Sequence, residues 1–211
     1  MYIGAVPKRI DHRARERDVA EAAWKVVARD GVGQLSVRKV AEEAKLATGS
    51  LRRAFPTQDA LRAYCLELVR ERAQARVDTV DQSLPVSEFV EECLQQLLPL
   101  DDDRRLEMEV FIAIGVLALT DNALRGPYGK VHDMLAVGCS SLLRMVAHDS
   151  APGDICDDEI NTESKRLHAL VDGLALHLVR QQRTEPTSWA TDVLSTHLRQ
   201  VRSRWQASST R

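Results

Sequence analysis

The chain has 211 residues, of which 44% are hydrophobic and 28% are charged, and its formal net charge is −2. This length and apolar content are enough for one large or two modest domains with a sizeable core. Its longest apolar run, residues 111–119, is far shorter than the ~20 residues of a membrane-spanning helix, and residues 1–10 lack the apolar segment of a signal peptide. The composition therefore predicts a soluble protein and excludes a membrane protein.

Charge is distributed unevenly along the chain. Residues 1–62 carry 13 Lys and Arg against 8 Asp and Glu, whereas the remaining residues carry 16 against 23. A basic N-terminal part on an acidic remainder favours a polyanionic partner for the N-terminal part alone. An ordinary solvated helical surface would explain the charge equally well, so the interpretation depends on the residue pattern of that segment.

The first predicted helix precedes Gly31, which is a suitable helix terminator. Its apolar residues recur with the spacing of one helical face, at Val19, Ala22, Ala23, Val26 and Val27. A second helix follows Ser36, a favourable N-cap, and its apolar face consists of Val37, Val40, Ala41 and Ala44. Three helices with a shared core are therefore predicted for roughly residues 14–55.

The third helix of this segment is the most informative. Residues 45–48 break the apolar pattern and fit a short turn, after which Leu51 and Phe55 lie four residues apart on the inner side of a two-turn helix. Its outward-facing residues are then Thr48, Ser50, Arg52 and Arg53. Two short helices joined by a turn, the second with a cationic outer face, are typical of a DNA-binding helix-turn-helix.

These segments together resemble the TetR (tetracycline-repressor-like) family of bacterial regulators. The residues that carry the resemblance are VAEAAWKVVARDG at 19–31, SVRKVAEEA at 36–44, TGSLRRAF at 48–55 and PTQDAL at 56–61. Near the C-terminus, VDGLALHLV at 171–179 and STHLRQV at 195–201 are similar to the BetI-type C-terminal domain of that family. The resemblance implies an all-α protein, with a three-helix DNA-binding domain at 1–56 and a helical-bundle domain for ligand binding and dimerisation at 57–211.

The same resemblance implies a cytoplasmic, ligand-responsive repressor. It would bind a palindromic operator in double-stranded DNA as a homodimer and be released by a small-molecule inducer. Carried over by position, the residues that approach base edges are Thr48, Gly49 and Ser50. Arg52 and Arg53 would reach bases or phosphates, and Ser36 and Arg38 would contact the DNA backbone. The chain departs from the family pattern at Arg52, where an aromatic is frequent, at Ala54, where His or Tyr is frequent, and at Gln58, where Lys often donates to a phosphate.

Six further helices are predicted downstream, over 58–81, 87–98, 102–119, 131–147, 159–183 and 187–205. The second half of 102–119 is apolar on all sides, which predicts burial in the centre of a bundle. Gly126 and Pro127 indicate a break over 122–128, and the acidic Pro-Gly segment 149–158 indicates a loop.

Two apolar stripes on the last two predicted helices predict the dimer interface. The alternative is that both stripes only cover the core of their own subunit. One comprises Leu167, Leu170, Val171, Leu174 and Leu178, and the other Trp189, Val193, His197, Val201 and Trp205.

The inducer pocket is predicted among helices 58–81, 102–119, 131–147 and 159–183. Its apolar lining residues would be Leu68, Phe111, Leu119 and Met134, and its polar residues Arg72 and Asp172. Alternatively, the stem of Arg72 lies along the bundle with its head in water, and Asp172 caps or pairs locally.

The chemistry-bearing residues do not form a recognisable catalytic or metal motif. Cys65, Cys93, Cys139 and Cys156 have no CxxC spacing, and the six histidines form neither HExxH nor a paired i, i+4 set. Phosphate-binding glycine loops and the GxSxG nucleophile motif are also absent from the sequence. We therefore expect no enzyme activity, no cofactor and no metal. The alternatives are an inducer-independent architectural or activating DNA-binding protein and, with less support, an enzyme that uses the helical body as a substrate pocket.

Overall fold

The computed structural model describes residues 12–153 and 155–208, and in these ranges all regular structure is helical. A short 3-10 turn, Val32–Gln34, separates the first two of the α-helices. In chain order these are α1 (His12–Asp30), α2 (Val37–Glu43), α3 (Thr48–Ala54), α4 (Gln58–Val77), α5 (Val86–Gln95), α6 (Asp102–Ala118), α7 (Asn122–Ser150), α8 (Asp157–Arg180) and α9 (Ser188–Ser208). The predicted all-α fold is confirmed.

The chain divides into two compact units, one ending at Cys65 and the other beginning at Leu66. The core of the N-terminal unit contains the whole predicted stripe of α1, with Leu35, Val40, Ala41, Leu51, Leu61 and Cys65. The first two turns of α4 belong to this unit because Leu61 and Cys65 are fully buried in it. The division by contacts therefore falls within α4, beyond the functional division predicted at residues 56 and 57.

The turn between α2 and α3 is closed by backbone hydrogen bonds. The Leu46 amide donates to the Ala41 carbonyl at 2.8 Å, and the Lys45 amide donates to the Glu42 carbonyl at 3.1 Å. This is the Schellman pattern, in which the residue after the C-cap adopts a left-handed conformation. Lys45 occupies that position with φ 53°, although glycine is the usual residue there.

The core of the C-terminal unit lies among α5, α7, α8 and α9. Its largest member, Trp205, is fully buried, and its indole Nε1 donates to Glu159 Oε1 at 2.7 Å. The core also takes in most of the two stripes predicted to form a dimer interface. Leu167, Val171, Leu174, Leu178 and Val201 are all buried here. These residues pack in the core of their own subunit. The prediction that they face a partner subunit was therefore wrong.

The predicted break at residues 122–128 is also wrong, because α7 runs without interruption from Asn122 to Ser150. Asp121 caps this helix by accepting from the Ala123 amide at 2.9 Å. Pro127 removes one hydrogen bond within the helix, a loss that usually favours a break. Tertiary packing outweighs that preference, since Leu124 before the proline and Cys139, Leu143 and Val146 after it are buried.

The second half of α6 is not buried on all sides as predicted. Val110, Ile114 and Ala118 are buried, but Val116 is 61% exposed and Leu119, the C-cap, is 74% exposed. The reason is geometric: α6 packs against α7 and α8, and these neighbours cover one face of the helix. None of the described helices has both the length and the apolar character needed to cross a membrane.

A buried carboxylate connects α8 to α9. Glu163, almost fully buried, pairs with Arg204 and Arg166, and its Oε1 lies 3.5 Å from Nε2 of His197. Burial lowers the pKa of His197 below its usual 6.5, although the Glu163 charge acts in the opposite direction. His197 therefore contributes a pH-dependent term to stability.

We predict that His197 makes the protein less stable in mild acid. Above pH 6.5 the imidazole is neutral in both states, whereas below it the unfolded chain takes up a proton more readily than the folded one. The loss of melting temperature between pH 7.5 and 5.5 should therefore be smaller in His197→Gln than in the wild type. Thermal unfolding of both proteins across this pH range tests the prediction, and the variant His148→Gln, at an exposed position, is the control. The same dependence of melting temperature on pH in all three proteins would contradict the prediction.

Candidate functional site

The helix-turn-helix of α2 and α3 is held by a cap and a buried leucine. Ser36 caps α2 as predicted, its hydroxyl accepting from the Lys39 amide at 3.3 Å. Leu51 anchors α3 in the core, while Phe55, the C-cap, packs its ring against Tyr64 with 5.0 Å between centroids. A helix of only two turns depends on such packing for its stability.

A further contact fixes the segment that precedes α2. The side-chain amide of Gln58 at the start of α4 donates to the Leu35 carbonyl. Gln58 occupies the position where the family often has a phosphate-binding lysine, and here its side chain binds the protein. The contact holds the start of α4 against the residues that lead into α2.

The described cations at and beside α2 and α3 differ in their ion pairing. Arg29 pairs with Asp30 and Glu43, and Lys39 pairs with Asp30. By contrast, Arg38, Arg52 and Arg53 are exposed and make no ion pair with any residue that the structure describes. Three guanidinium groups without acidic partners leave α3 and the neighbouring face of α2 positively charged.

The predicted DNA-contacting residues lie on two consecutive helices. Thr48, Gly49 and Ser50 form the first turn of α3, Arg52 and Arg53 lie in its last turn, and Ser36 and Arg38 lie at the start of α2. A Cβ built on Gly49 would meet no atom within 4 Å. The protein itself therefore does not require glycine at this exposed helical position, where glycine costs about 1 kcal/mol relative to alanine.

In the C-terminal unit, a row of rings connects two of the predicted ligand-binding residues. Phe111 of α6 stacks on Tyr128 of α7 at 4.8 Å between centroids, and Tyr128 in turn lies 6.2 Å from the ring of His132. His132 lies 4.6 Å from His168 of α8, and both imidazoles face the carboxylate of Asp172. Phe111 and Asp172 thus lie at the two ends of one row.

The charge of Asp172 acts along this row. Burial, and then the Asp172 carboxylate, raise the pKa of Tyr128 above its usual value, and the same two causes raise the pKa of Cys139 to about 12. Both groups therefore remain protonated at neutral pH.

Gly115 allows the Tyr128 ring to pack against α6. A Cβ at Gly115 would lie 2.7–2.8 Å from atoms of that ring, closer than van der Waals contact permits. We predict that Gly115→Ala lowers the free energy of unfolding by about 1–3 kcal/mol. Urea unfolding tests this, and Gly138→Ala on α7 is the matched control because its added methyl would meet nothing within 4 Å. Equal effects of the two substitutions would contradict a steric role for Gly115.

Arg72 belongs to an ion-pair cluster that the sequence did not reveal. The carboxylate of Glu107 on α6 is almost completely buried and accepts two parallel bonds from Arg76, at 3.0 and 2.7 Å. Arg72 lies 3.7 Å from the same carboxylate, and Arg76 also donates to the Gln96 carbonyl. Arg72 therefore balances the charge of Glu107, and the cluster joins α4 to α6.

The remaining predicted ligand-binding residues lie apart from the row of rings. Met134 lines an open groove of about 690 Å³ with Gln74 of α4 and other residues of α7. Leu68 is half-buried on α4. Leu119 is exposed at the end of α6. The prediction that it lines an enclosed pocket of the bundle together with Phe111 was therefore wrong. The six candidates thus do not converge on one cavity in the described part of the chain.

Comparison with known proteins identifies the family. The model for bacterial regulatory proteins of the tetR family matches residues 19–65, and that for the C-terminal domain of BetI-type transcriptional repressors matches residues 87–203. The chain belongs to the TetR family of transcriptional regulators. The second match covers more than half of the chain and includes the row of rings and Glu107, whereas Arg72 and Arg76 precede it.

Individual TetR-family relatives match over most of their length. The HTH-type transcriptional regulator PksA of Bacillus subtilis (strain 168) is 35% identical over 173 residues, which is 82% of each chain. A transcriptional regulator from Rhodococcus sp. Rha1 superposes with a TM-score of 0.74 at 27% identity, covering 90% of this chain and 96% of that one. The multidrug binding protein EbrR, solved in complex with imidazole, superposes with a TM-score of 0.61 at 26% identity, covering 87% and 94%.

Proposed function

We propose that this TetR-family regulator is a homodimeric repressor that binds a palindromic operator through α3 and is released by a small-molecule inducer. The observation that carries the DNA part of the proposal is the exposed arginine face of α2 and α3. Arg38, Arg52 and Arg53 have no acidic partner in the described structure, so their charge is available to phosphates and base edges.

The proposal assigns a role to each predicted DNA-contacting residue. Gly49 presents bare backbone at the first turn of α3, which lets DNA approach more closely than a larger side chain would allow. Thr48 and Ser50 flank it with hydroxyl groups that suit base edges. Arg52 and Arg53 extend from the last turn toward bases or phosphates, whereas Arg38 extends from α2 toward the backbone. The Ser36 oxygen already accepts a capping bond, so Ser36 would contact a phosphate by donating its proton.

The proposed dimer uses the outer faces of α8 and α9. The inner stripes of these helices fill the subunit core, but Leu176 of α8 and Val193 of α9 are each 42% exposed. Large exposed aliphatic side chains on the two last helices are consistent with a contact between copies. A stable interface of this kind buries ~2,000 Å² or more.

We place the proposed inducer site in the C-terminal unit, beside the row of rings. Phe111 and Tyr128 supply an apolar wall, and Asp172 supplies the polar group that orients a ligand. Met134 remains a candidate through the groove between α4 and α7, and Leu68 remains one as a half-buried residue of α4. Arg72 remains a candidate only if a ligand displaces it from Glu107. Inducer binding would favour the conformation that does not fit the operator, which requires unequal affinity for the two states.

Three measurements on the full-length protein test the proposal. Light scattering at micromolar concentration should give a dimer, and fluorescence anisotropy should show two chains bound per operator duplex. A thermal-shift screen should find a small molecule that stabilises the protein, by ~2.7 kcal/mol at 100 times its dissociation constant, and that releases the DNA. A monomer that binds DNA with one chain per site would contradict the dimer, and a stabilising ligand without effect on DNA affinity would contradict induction.

A further inference from the structure

Three metal-ligating side chains converge at the open end of the row of rings. His168 and Asp172 lie four residues apart on one face of α8, and His132 reaches them from α7. One ligand atom from each of the three lies within 4.8 Å of the other two. Two imidazoles and a carboxylate are a ligand set used by zinc and other divalent transition metals.

The distances from Asp172 to the two histidines are too long for hydrogen bonds and close to those between ligands of one metal ion. Oδ2 of Asp172 lies 3.5 Å from Nε2 of His168 and 3.7 Å from Nε2 of His132. Hydrogen bonds between such atoms measure about 2.7–3.2 Å. Ligands that each lie ~2.0–2.1 Å from a tetrahedral zinc ion are about 3.4 Å apart. Small side-chain rotations would therefore bring all three atoms to one ion.

The cluster also contains an unpaired nitrogen. His168 is 13% exposed, and its Nε2 is buried without a hydrogen-bond partner in the described structure. A buried polar atom without a partner is costly, typically by 1–3 kcal/mol. A metal ion would provide that partner, and its charge would balance Asp172, whose only ion-pair partners among the described residues are these two histidines.

The surroundings of the cluster suit an exchangeable metal. The ring of His132 packs beside Tyr128, which is held by Phe111 and by the bare backbone of Gly115, so its orientation is restricted. His132 and Asp172 are 40% and 42% exposed, which gives an ion a path from solvent. Three protein ligands leave a fourth position for water or for a ligand atom.

We propose that His132, His168 and Asp172 form a binding site for a divalent transition-metal ion that joins α7 to α8. This site differs from the expectation of no metal drawn from the sequence. It shares Asp172 with the proposed inducer site but requires neither inducer nor operator, because Zn²⁺ binding is measured in the absence of both. The ion bonds to one nitrogen of each neutral imidazole and to the Asp172 carboxylate. Binding releases a proton from any imidazole that carries two.

The test uses the full-length protein after treatment with a chelator. Zn²⁺ is titrated in competition with a chromophoric chelator, and Co²⁺ is added separately because its visible absorption reports the ligand geometry. One Zn²⁺ per chain should bind, and the melting temperature should rise with Zn²⁺ concentration. His132→Ala and Asp172→Asn, both at partly exposed positions, should each weaken binding by at least the 10- to 100-fold that loss of an outer-shell partner causes.

Two control variants exclude other sources of binding. His148→Ala removes an exposed histidine of α7, and Cys156→Ser removes an exposed thiol; both should bind Zn²⁺ like the wild type. Circular dichroism of the metal-free proteins shows whether each variant is folded. Zn²⁺ affinity that is equal in the wild type and His132→Ala, or that is lost only in Cys156→Ser, would overturn the proposal. So would the absence of saturable binding to the wild type.

Discussion

Replacing Arg52 and Arg53 together by alanine should lower the affinity for operator DNA by a factor on the order of 100 or more. A base-contacting arginine contributes ~1–3 kcal/mol, and the loss of a phosphate-contacting arginine weakens binding to all sequences alike. The two single variants distinguish these roles. Loss of a base contact relaxes specificity at one base pair, whereas loss of a phosphate contact reduces the slope of log affinity against log salt by about one.

The control for this experiment is the double variant Arg125→Ala with Arg199→Ala, which removes the same charge from the C-terminal unit. Both side chains are exposed there, so operator affinity should change by less than threefold. Affinity that is unchanged in Arg52→Ala/Arg53→Ala, or that falls equally in the control, would show that α3 does not bind the DNA.

Glu107→Ala should strongly destabilise the C-terminal unit. The carboxylate is buried and bonds to both terminal nitrogens of Arg76, so its removal leaves Arg76 and Arg72 without their common anion. Breaking one side of a buried ion pair costs about 3–5 kcal/mol. We expect the melting temperature to fall by roughly 6–20 °C in a chain of this size.

Glu109→Ala is the matched control, two residues along the same helix. Its carboxylate is 35% exposed and lies 3.4 Å from Arg105, itself 12% exposed, and 3.3 Å from Arg183. Water still reaches this carboxylate, so we expect its removal to cost about 1 kcal/mol, the upper end for solvent-accessible pairs. Thermal and urea unfolding of both variants would give the comparison. Similar losses in the two variants would mean that the Glu107 cluster has no special role in joining α4 to α6.

The sequence predicted the helix-turn-helix well because its determinants are local. Ser36 caps the helix that follows it, Gly31 ends the helix that precedes it, and Leu51 is buried four positions before Phe55. Each of these features depends on residues within one or two helical turns. Short-range propensity and tertiary structure therefore agree in this segment.

Pro127 shows why the C-terminal unit was harder to predict. Its local preference is for a break, yet residues far along the same helix are buried against other helices and keep α7 continuous. The stripes of α8 and α9 pose the related problem that an apolar face indicates burial but not the partner that covers it. Long-range packing decides whether such a face is covered by the core of the same subunit or by a second copy of the chain.

Two features of the C-terminal unit left a sequence signal that could have been used. Glu107 is in register with Val110, Phe111 and Ile114 on the apolar stripe of α6, and a charge at such a position indicates a buried pair. His168 and Asp172 have the i, i+4 spacing of a ligand pair, which a search for paired histidines alone misses. The third member, His132, comes from another helix, and no local pattern connects it to them.

Selection of DNA from a random library by the wild-type protein tests the central claim most directly. If a dimer reads DNA through the α3 helices of its two subunits, the enriched sequences should be palindromic, with half-site centres one helical turn, or about 34–36 Å, apart. The selected duplex should bind two chains, and Arg52→Ala/Arg53→Ala should enrich nothing above background. Enrichment of a sequence without two-fold symmetry, or equal enrichment by the double variant, would contradict the account.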